Sequence, residues 1–364
     1  MIEATGWSSG RYVIMYRPKM WLLIALIAGP ICSASSLLAQ LPQERFGEVV
    51  PRDIREMYDR GLSYLAQSQS EDGDWKGGQS GPGVTGLCMM AMLASGEDPN
   101  FGIYSNHIRK AARSIIKAQN SATGYFGNSM YHHGFAMLAL AEAYGTVDDR
   151  NLWSKAEASS QRSIGAALEL AVRAAITSQK KNTYGGWRYS PDSNDADTSV
   201  SGAVMVGLLA ARNAGIEVPD ESIDRAIAYF KSMTADSGQV AYAGGLGGFD
   251  ESIARISIGS LVYAIARRKD MPQHEATLNY LKERIDQGST NDHYKEYTLY
   301  YQAQALFQGD VEAWEKWNKL LVRQLKESQK DDGSFPGQFG PELGTSMSLL
   351  AIALNYRFLP IYER

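Results

Sequence analysis

Residues 178–207, SQKKNTYGGWRYSPDSNDADTSVSGAVMVG, contain the pattern that decides the fold. A charged amphipathic helix is predicted to end at Ser178 and Gln179, and a Gly-Gly-Trp turn and an acidic loop follow it. A second helix, made of small apolar residues, is predicted to begin at Asp197 and Thr198. The stretch is therefore one helical hairpin, and we call its polar connection the elbow.

Variants of this hairpin recur at a period of roughly 50 residues, which indicates a repeat architecture. In each variant an outer helix with one apolar face precedes an inner helix that is apolar nearly all round. The sequence contains six such hairpins in all. The outer and inner helices of the other five are predicted at 53–69 and 85–96, 107–119 and 134–145, 222–233 and 254–266, 274–285 and 295–309, and 313–329 and 344–354.

Helices without a polar face have to be buried, and an open superhelix of hairpins needs polar repeats at its two ends. Such end repeats are not evident here, so we favour a closed ring over an open solenoid. The sequence predicts an all-α protein, an (α/α)6 toroid, in which the sixth hairpin packs against the first and buries Trp314 or Trp317 beside the first helix. All inner helices then run the same way, and their positive N-termini converge on a central funnel.

The elbow residues have predicted structural roles. The glutamine that ends an outer helix, such as Gln179, can bond the free carbonyls at that helix end, and glycine permits the turn that follows. Thr85, Thr198 and Thr345 are predicted to be the N-caps of inner helices.

Three elbows resemble the repeat of the squalene cyclase and protein prenyltransferase superfamily, over about residues 54 to 358. They are Gln67-Ser68-Gln69 with Asp72-Gly73-Asp74-Trp75, Ser178-Gln179 with Gly185-Gly186-Trp187, and Ser328-Gln329 with Asp332-Gly333-Ser334-Phe335. The tail Tyr356-Arg357-Phe358-Leu359-Pro360, with His132-His133-Gly134 and Tyr300-Tyr301, is most similar to the secreted single-toroid members of planctomycete-type bacteria. The resemblance implies a scaffold and does not by itself name a reaction.

The acidic elbow contains our candidate catalytic residues, Asp195 and Asp197. The resemblance to squalene-hopene-type cyclases implies an Asp-x-Asp-Asp-Thr stretch with a protonated aspartic acid that donates a proton to an alkene. One alignment makes Asp197 that acid, and the other places Ala196 there. Those cyclases enclose their substrate between two helical domains, whereas this chain holds one toroid.

A structural role for the same carboxylate is the alternative. As the residue before an inner helix, Asp197 is expected to cap it and to have a lowered pKa, so that Asp197→Asn slightly lowers the melting temperature. Asp195 is expected to face the funnel.

Five further residues are candidate ligand-binding residues because the elbows gather them near the funnel mouth. They are His133, Glu251, Arg255, Tyr300 and Trp187. Adjacent histidines such as His132 and His133 point to different sides of a helix and do not share one metal ion, so no metal site and no cofactor are predicted. The prenyltransferase zinc site is not expected either, because Cys88 is distant from any histidine in sequence.

The first 39 residues are predicted to be a secretory signal peptide. Arg17 and Lys19 precede the apolar run 20–31, and a region of small residues with cleavage after Ala39, or else after Ala34, comes next. Residues 40–52 are predicted to be a linker and 53–364 the toroid. The protein is thus expected to be exported, periplasmic or secreted. An uncleaved N-terminal anchor is the alternative, and it is the only predicted membrane contact.

Composition limits the function without naming it. The chain has 364 residues, 44% of them hydrophobic, and a net charge of −4, with scattered lysines and arginines that argue against nucleic acid as a partner. We expect a binding or interaction module whose funnel holds an unidentified small molecule, isoprenoid, glycan or peptide. The alternative is an enzyme, either a cyclase-like activity on isoprenoids or acid–base chemistry on a polysaccharide. Aromatic walls with one carboxylic acid favour the first chemistry, and two carboxylates roughly 5 to 9 Å apart favour the second.

Overall fold

A computed structural model describes residues 50–157, 161–243, 251–287 and 294–362. The predicted signal peptide, and the predicted linker up to residue 49, lie outside the described residues. Within these ranges the structure is helical and contains no β-strand, as predicted. The helices are α1 Arg52–Ser68, α2 Pro82–Leu93, α3 Ser105–Ala118, α4 Met130–Ala143, α5 Ile164–Lys181, α6 Thr198–Asn213, α7 Asp220–Met233, α8 Ile253–Ile265, α9 Pro272–Glu283, α10 Lys295–Gly309, α11 Val311–Ser328 and α12 Pro341–Ile352.

The odd-numbered helices are outer helices and the even-numbered ones are inner helices. In α1 the five apolar positions that share one face are all buried: Ile54, Met57, Tyr58, Leu62 and Leu65. In α2 all 12 residues are buried. A helix that is apolar all round is stable in water only when neighbours cover it, so the inner helices form the core.

The six inner helices form a closed ring. Each packs against the next from α2 to α12, and α12 packs against both α1 and α2. The Arg60 side chain of α1 also donates a hydrogen bond to the Lys330 carbonyl, 2.6 Å away, in the sixth elbow. The predicted (α/α)6 toroid is therefore confirmed. The sixth hairpin meets the first through α12, while Trp314 packs edge-on against Phe307 of α10 at 5.0 Å between ring centroids.

A repeated side-chain link joins each hairpin to its neighbour. In four elbows the glutamine amide donates to a glycine carbonyl of its own elbow and to a carbonyl of the next outer helix. These links run from Gln69 to His107, from Gln119 to Ala167, from Gln179 to Ser222 and from Gln329 to Met57. The glutamine thus connects hairpins, whereas we had expected it to cap its own outer helix.

Other elbow residues close the hairpin itself. The Trp75 and Trp187 indoles each donate to a carbonyl of their own outer helix, at 2.8 and 2.9 Å. Thr345 Oγ1 accepts from the backbone N–H of Phe335 at 2.9 Å. The predicted N-cap role of Thr345 is therefore wrong, because this residue lies within α12 and holds the elbow from there. Thr85 likewise lies within α2, and Thr198 is the first residue of α6, whose N-cap is Asp197, so these two N-cap predictions are also wrong.

The C-terminal segment covers the end of the ring that is opposite the elbows. The Ile361 N–H lies 3.4 Å from Glu142 Oε2, at the end of α4, and the Gln308 amide, at the end of α10, donates to the Ile361 carbonyl at 3.3 Å. Tyr356, Leu359 and Ile361 are buried there. The central space of the ring is therefore reached from the elbow end. Over the described ranges, the helices lack the length and hydropathy that a membrane span requires.

Candidate functional site

A cavity of about 630 Å³ lies at the elbow end of the ring. All six inner helices contribute to its wall near their N-termini, and elbow residues complete it. This volume lies within the range of about 300–1,000 Å³ that is usual for small-molecule sites. The lining residues are Gln79, Gly83, Val84, Leu87, Ser129, Tyr131, His132, Phe135, Tyr189, Ser199, Tyr242, Ser252, Ala254, Arg255, Tyr294, Glu296, Tyr297, Phe339, Leu343 and Met347.

Aromatic rings make up much of the wall. Tyr131 and Tyr297 meet edge-to-face at 6.3 Å between ring centroids. Tyr294 and Phe339 are stacked at 5.6 Å, and both are more than one-third exposed at the mouth. Such walls bind rings or hydrocarbon chains through apolar contact, and their few polar groups fix the orientation of a ligand.

Three side chains with acid, base or cationic character line the cavity, and all three are more than nine-tenths buried: His132, Arg255 and Glu296. His132 Nδ1 accepts from the N–H of Gly83 at 3.2 Å, so the neutral ring carries its proton on Nε2. Burial lowers the pKa of His132 and keeps it in that neutral form. Glu296 Oε1 accepts from the N–H of Gln338 at 2.8 Å.

Asp197 is fully buried and caps α6. Its Oδ1 accepts from the N–H of Val200 at 2.8 Å, and its Oδ2 lies 3.4 Å from Arg188 Nε without a hydrogen bond of good geometry. Burial raises the pKa of Asp197 to about 6, which outweighs the opposite effects of Val200 and Arg188. The expected capping role is present, but the lowered pKa predicted from it is wrong, because desolvation dominates.

Asp197 does not line the cavity but is electrostatically coupled to tyrosines that do. Its charge raises the pKa of Tyr131, Tyr242 and Tyr297, in each case as a smaller effect than burial. Asp195 lies at the surface, where its carboxylate pairs with Arg188 at 3.0 Å. Asp195 was expected to face the funnel, but it does not line the cavity, because its ion pair with Arg188 holds its carboxylate at the surface.

Of the five predicted ligand-binding residues, Arg255 lines the cavity. His133 is instead part of the framework: its Nδ1 accepts from the N–H of Phe126 at 3.1 Å, and its Nε2 donates to the Ala171 carbonyl at 3.0 Å. Ser201 makes the equivalent contact in the third hairpin, where its hydroxyl oxygen accepts from the N–H of Trp187.

The other three lie away from the cavity surface. Trp187 and Tyr300 are buried in the core, with Tyr300 packed against Phe135 at 6.3 Å. Glu251 accepts from the Tyr280 hydroxyl at 2.7 Å and from Arg284 at 2.9 Å, on the side of the outer helix α9.

Sequence reasoning missed Tyr131, Glu296 and Tyr297 and did not select His132 as a ligand-binding residue. Each falls in the first turn of an inner helix, on the side that faces the ring axis. The periodicity of an inner helix does not reveal that side, because all its sides are buried. The feature that could have identified these residues is the point at which each inner helix begins, Met130 for α4 and Lys295 for α10.

The described residues contain no cluster of His, Cys, Asp and Glu that is suited to a metal ion. Cys88 is buried, and burial raises its pKa far above the usual range, so its thiol stays protonated.

A family model described as "Domain of unknown function (DUF6288)" matches residues 55–251, more than half of the chain. The chain belongs to this family. The DUF6288 match begins in α1 and ends before α8, so it includes the cavity wall formed by α2, α4 and α6 and the acidic elbow. A search of curated proteins found no match.

Solved structures with the same fold include enzymes of two classes. The GH76A α-1,6-mannanase of Salegentibacter sp. HEL1_6 has a TM-score of 0.62 at 10% identity, over 83% of this chain and 99% of its own. The type II terpene cyclase MstE of Scytonema has a TM-score of 0.56 at 15% identity, over 85% of this chain and 100% of its own. At these identities the likeness shows the (α/α)6 fold and not an activity.

Proposed function

We propose that the protein binds a mainly apolar small molecule of the isoprenoid class in the central cavity. The observation that carries this proposal is the wall of seven aromatic residues, which also contains Val84, Leu87, Leu343 and Met347. Burial of a hydrocarbon against such a surface is favourable at about 25 cal/mol per Å² of apolar area. The C-terminal segment covers the opposite end of the ring and so favours a pocket over a through-channel.

Glycoside chemistry is less well supported by the described residues. It usually needs two carboxyl groups about 5 to 9 Å apart on either side of the scissile bond. Among the described residues, Glu296 is the carboxylate that lines the cavity, and Asp195 is directed outward to Arg188. The mannanase is therefore a precedent for the fold alone. An isoprenoid ligand fits the aromatic wall of this cavity better than a glycan does.

A second candidate function is protonation-initiated conversion of the bound isoprenoid, and Asp197 favours it. A carboxyl with a pKa near 6 is protonated in mildly acidic surroundings, as a proton donor has to be. Asp197 does not line the cavity, so in this step its proton would reach an alkene carbon through the hydroxyl of a lining tyrosine that is coupled to it, Tyr131 or Tyr242. The carbocation then cyclises, and a proton lost from carbon returns by the same route, which forms the new alkene and restores the acid. MstE matches over its entire chain, so one toroid is not an obstacle to such chemistry.

We also propose that the protein is exported, on the evidence of the basic, apolar and small-residue order of residues 17–39. Within the superfamily that its elbows resemble, we place it with the secreted single-toroid members. N-terminal sequencing of protein from its host is expected to start near Gln40. An intact Met1 in the cytosol would contradict export.

A binding experiment tests the main proposal. Purified protein is titrated with geranylgeraniol and, separately, with a manno-oligosaccharide, and lipid and glycan extracts of the protein are analysed by mass spectrometry. Val84→Trp, which fills the cavity, is expected to abolish isoprenoid binding, while Leu320→Trp on the exposed side of α11 leaves it unchanged. Binding of the oligosaccharide alone would refute the proposal.

Turnover is tested separately with the same alcohol and product analysis. Asp197→Asn is expected to abolish conversion and retain binding, and Asp195→Asn to retain both. If the wild-type protein binds the alcohol but forms no product, the cyclase candidate is excluded and the protein is a binding module.

A further inference from the structure

Two adjacent histidines at the start of α4 use their ring nitrogens differently. In His133 both nitrogens make hydrogen bonds within the framework. In His132 the Nδ1 atom alone does so, by accepting from the Gly83 N–H. The Nε2–H of His132 has no hydrogen-bond partner in the part of the chain that the structure describes, and protein atoms do not enclose it completely. His132 is 8% exposed and lines the cavity, so this donor is reached from the cavity.

The start of α2 fixes the orientation of the His132 ring. A Cβ at Gly81 would lie 2.8 Å from its Cε1 atom, and a Cβ at Gly83 would lie 2.7 Å from its Cα atom. Both glycines therefore let α2 pack closely against the histidine, and Gly83 also holds Nδ1. Because the ring is held along its Nδ1–Cε1 edge, its remaining N–H keeps one direction.

Ser129 adds a second polar group that the fold does not use. It is the N-cap residue of α4 and lines the cavity, but its hydroxyl does not cap the helix and makes no hydrogen bond with the described residues. Ser163 at α5 and Ser252 at α8, by contrast, each accept from a backbone N–H of their own helix, as N-cap serines usually do. Ser129 precedes His132 by three residues, which places the two near each other in the first turn.

The cavity wall becomes apolar one turn further along the same helices, where Leu87 of α2 and Phe135 of α4 line it. His132 is neutral, because burial lowers its pKa, and Ser129 carries no charge. The polar group that matches them is a neutral oxygen, which accepts from N–H and O–H donors. A pure hydrocarbon that fills the cavity would leave the Nε2–H without any partner, which costs free energy, whereas a ligand with such an oxygen avoids this cost.

We propose that the ligand is an isoprenoid with a neutral oxygen at one end, a hydroxyl or a carbonyl, and that this oxygen accepts a hydrogen bond from His132 Nε2–H. The Ser129 hydroxyl is a second partner for the same oxygen, and the hydrocarbon chain extends past Leu87 and Phe135. This inference rests on the proposed binding of an isoprenoid and adds which end of the ligand lies at the elbow end of the cavity.

Infrared spectroscopy of bound geranylgeranial tests the hydrogen bond directly. In the wild-type protein the carbonyl stretching band is expected at a lower wavenumber than in hexane, because a hydrogen bond to the oxygen weakens the C=O bond. His132→Asn keeps a side-chain oxygen that can accept from the Gly83 N–H but has no group at the Nε2 position, so the band is expected to return toward its hexane value. The control His274→Asn changes a buried histidine of α9 outside the cavity and is expected to leave the band as in the wild type.

Calorimetry measures the contribution of this contact to affinity. Geranylgeraniol and geranylgeranial are titrated separately, which shows whether the hydroxyl or the carbonyl is preferred. Loss of one neutral hydrogen bond is expected to weaken binding by about three- to tenfold in His132→Asn and to leave the affinity of His274→Asn unchanged.

The outcomes separate this inference from the cavity proposal. An unshifted carbonyl band in the wild-type complex, or a shift that persists in His132→Asn, would overturn the role of His132 and leave the cavity proposal standing. Failure of both ligands to bind the wild type would overturn the cavity proposal itself. If His132→Asn does not fold, NMR of the wild-type protein decides: the His132 Nε2–H resonance is expected to move when the aldehyde binds, and an unchanged resonance would contradict the inference.

Discussion

The side-chain amide of Gln329, at the end of the last outer helix, donates a hydrogen bond of 2.9 Å to the carbonyl of Met57 in the first helix. The same amide bonds the Gly333 carbonyl of its own elbow at 3.0 Å. Gln69 makes the equivalent pair of bonds to Gly73 and to His107, inside the array. The link that joins neighbouring hairpins along the chain therefore also joins the last hairpin to the first.

Removing this link is expected to cost as much at the seam as inside the array. Gln329→Ala and Gln69→Ala should each lower the free energy of unfolding by about 1–3 kcal/mol, since each loses two hydrogen bonds. Urea denaturation measures both, with the exposed Gln338→Ala as the control. A loss for Gln69→Ala with none for Gln329→Ala would mean that the ring is not closed in solution.

A second prediction concerns a glycine that touches the next outer helix. Gly333 has a φ of +88°, and a Cβ there would lie 2.3 Å from the Arg60 carbonyl oxygen. Gly145 has a φ of +83° but no atom within 4 Å of such a Cβ. Both substitutions by alanine impose a left-handed conformation that costs about 1–2 kcal/mol.

Gly333→Ala alone is expected to add a steric cost of about 1–3 kcal/mol, because backbone has to move. The difference between the two variants in thermal or urea unfolding measures this contact. Equal losses would show that conformation, and not packing against α1, explains the glycine at position 333.

The sequence predicts the ring better than the site, and particular residues show why. Gln329 and Gly333 recur in register with Gln69 and Gly73, so a periodic sequence reveals the framework they build. Glu296 and Tyr131 belong to no motif that recurs in every repeat, and their location depends on where α10 and α4 begin. The pKa of Asp197 could not be predicted from the sequence either, because it depends on how completely neighbouring elements exclude water.

A third prediction separates two adjacent histidines. His133 makes two hydrogen bonds in the framework and does not line the central cavity, whereas His132 lines it. His133→Ala is expected to destabilise the protein by about 2 kcal/mol or more, because it leaves the Phe126 N–H buried without its acceptor. Ligand affinity per folded molecule should remain unchanged, while His132→Ala changes that affinity.

The loss of folding stability at low pH should also depend on the protonation of His133. Burial lowers its pKa to about 4, below the value of 6.5 for a free histidine. The unfolded chain then binds a proton more readily between these values, so the neutral ring contributes stability that is lost as pH falls from about 6.5 to 4. His133→Ala should show a weaker decline over that window. An unchanged decline would assign it to other groups.

The final prediction compares two aspartates that cap helices but have opposite pKa shifts. Asp197 caps α6 with a pKa raised to about 6 by burial. Asp310 caps α11, and its bonds to Lys282 and to the Ala313 N–H lower its pKa. Asparagine is also a good N-cap, so substitution removes the charge and retains the cap.

The two variants should therefore differ from the wild type in opposite directions at pH 7.5. The folded state favours the protonated form of Asp197, so ionisation removes stability as pH rises from about 4 to 6. Asp197→Asn avoids this loss and should be more stable by on the order of 1–3 kcal/mol at pH 7.5, with the gain disappearing near pH 4. Asp310→Asn should be less stable at pH 7.5, because its carboxylate contributes stability that is lost only as pH falls below the ordinary aspartate range. Urea unfolding of both variants between pH 4 and 7.5 measures the effects. A less stable Asp197→Asn at pH 7.5 would mean that Val200 and Arg188 outweigh desolvation, and the protonated state that the cyclase candidate needs would lose its support.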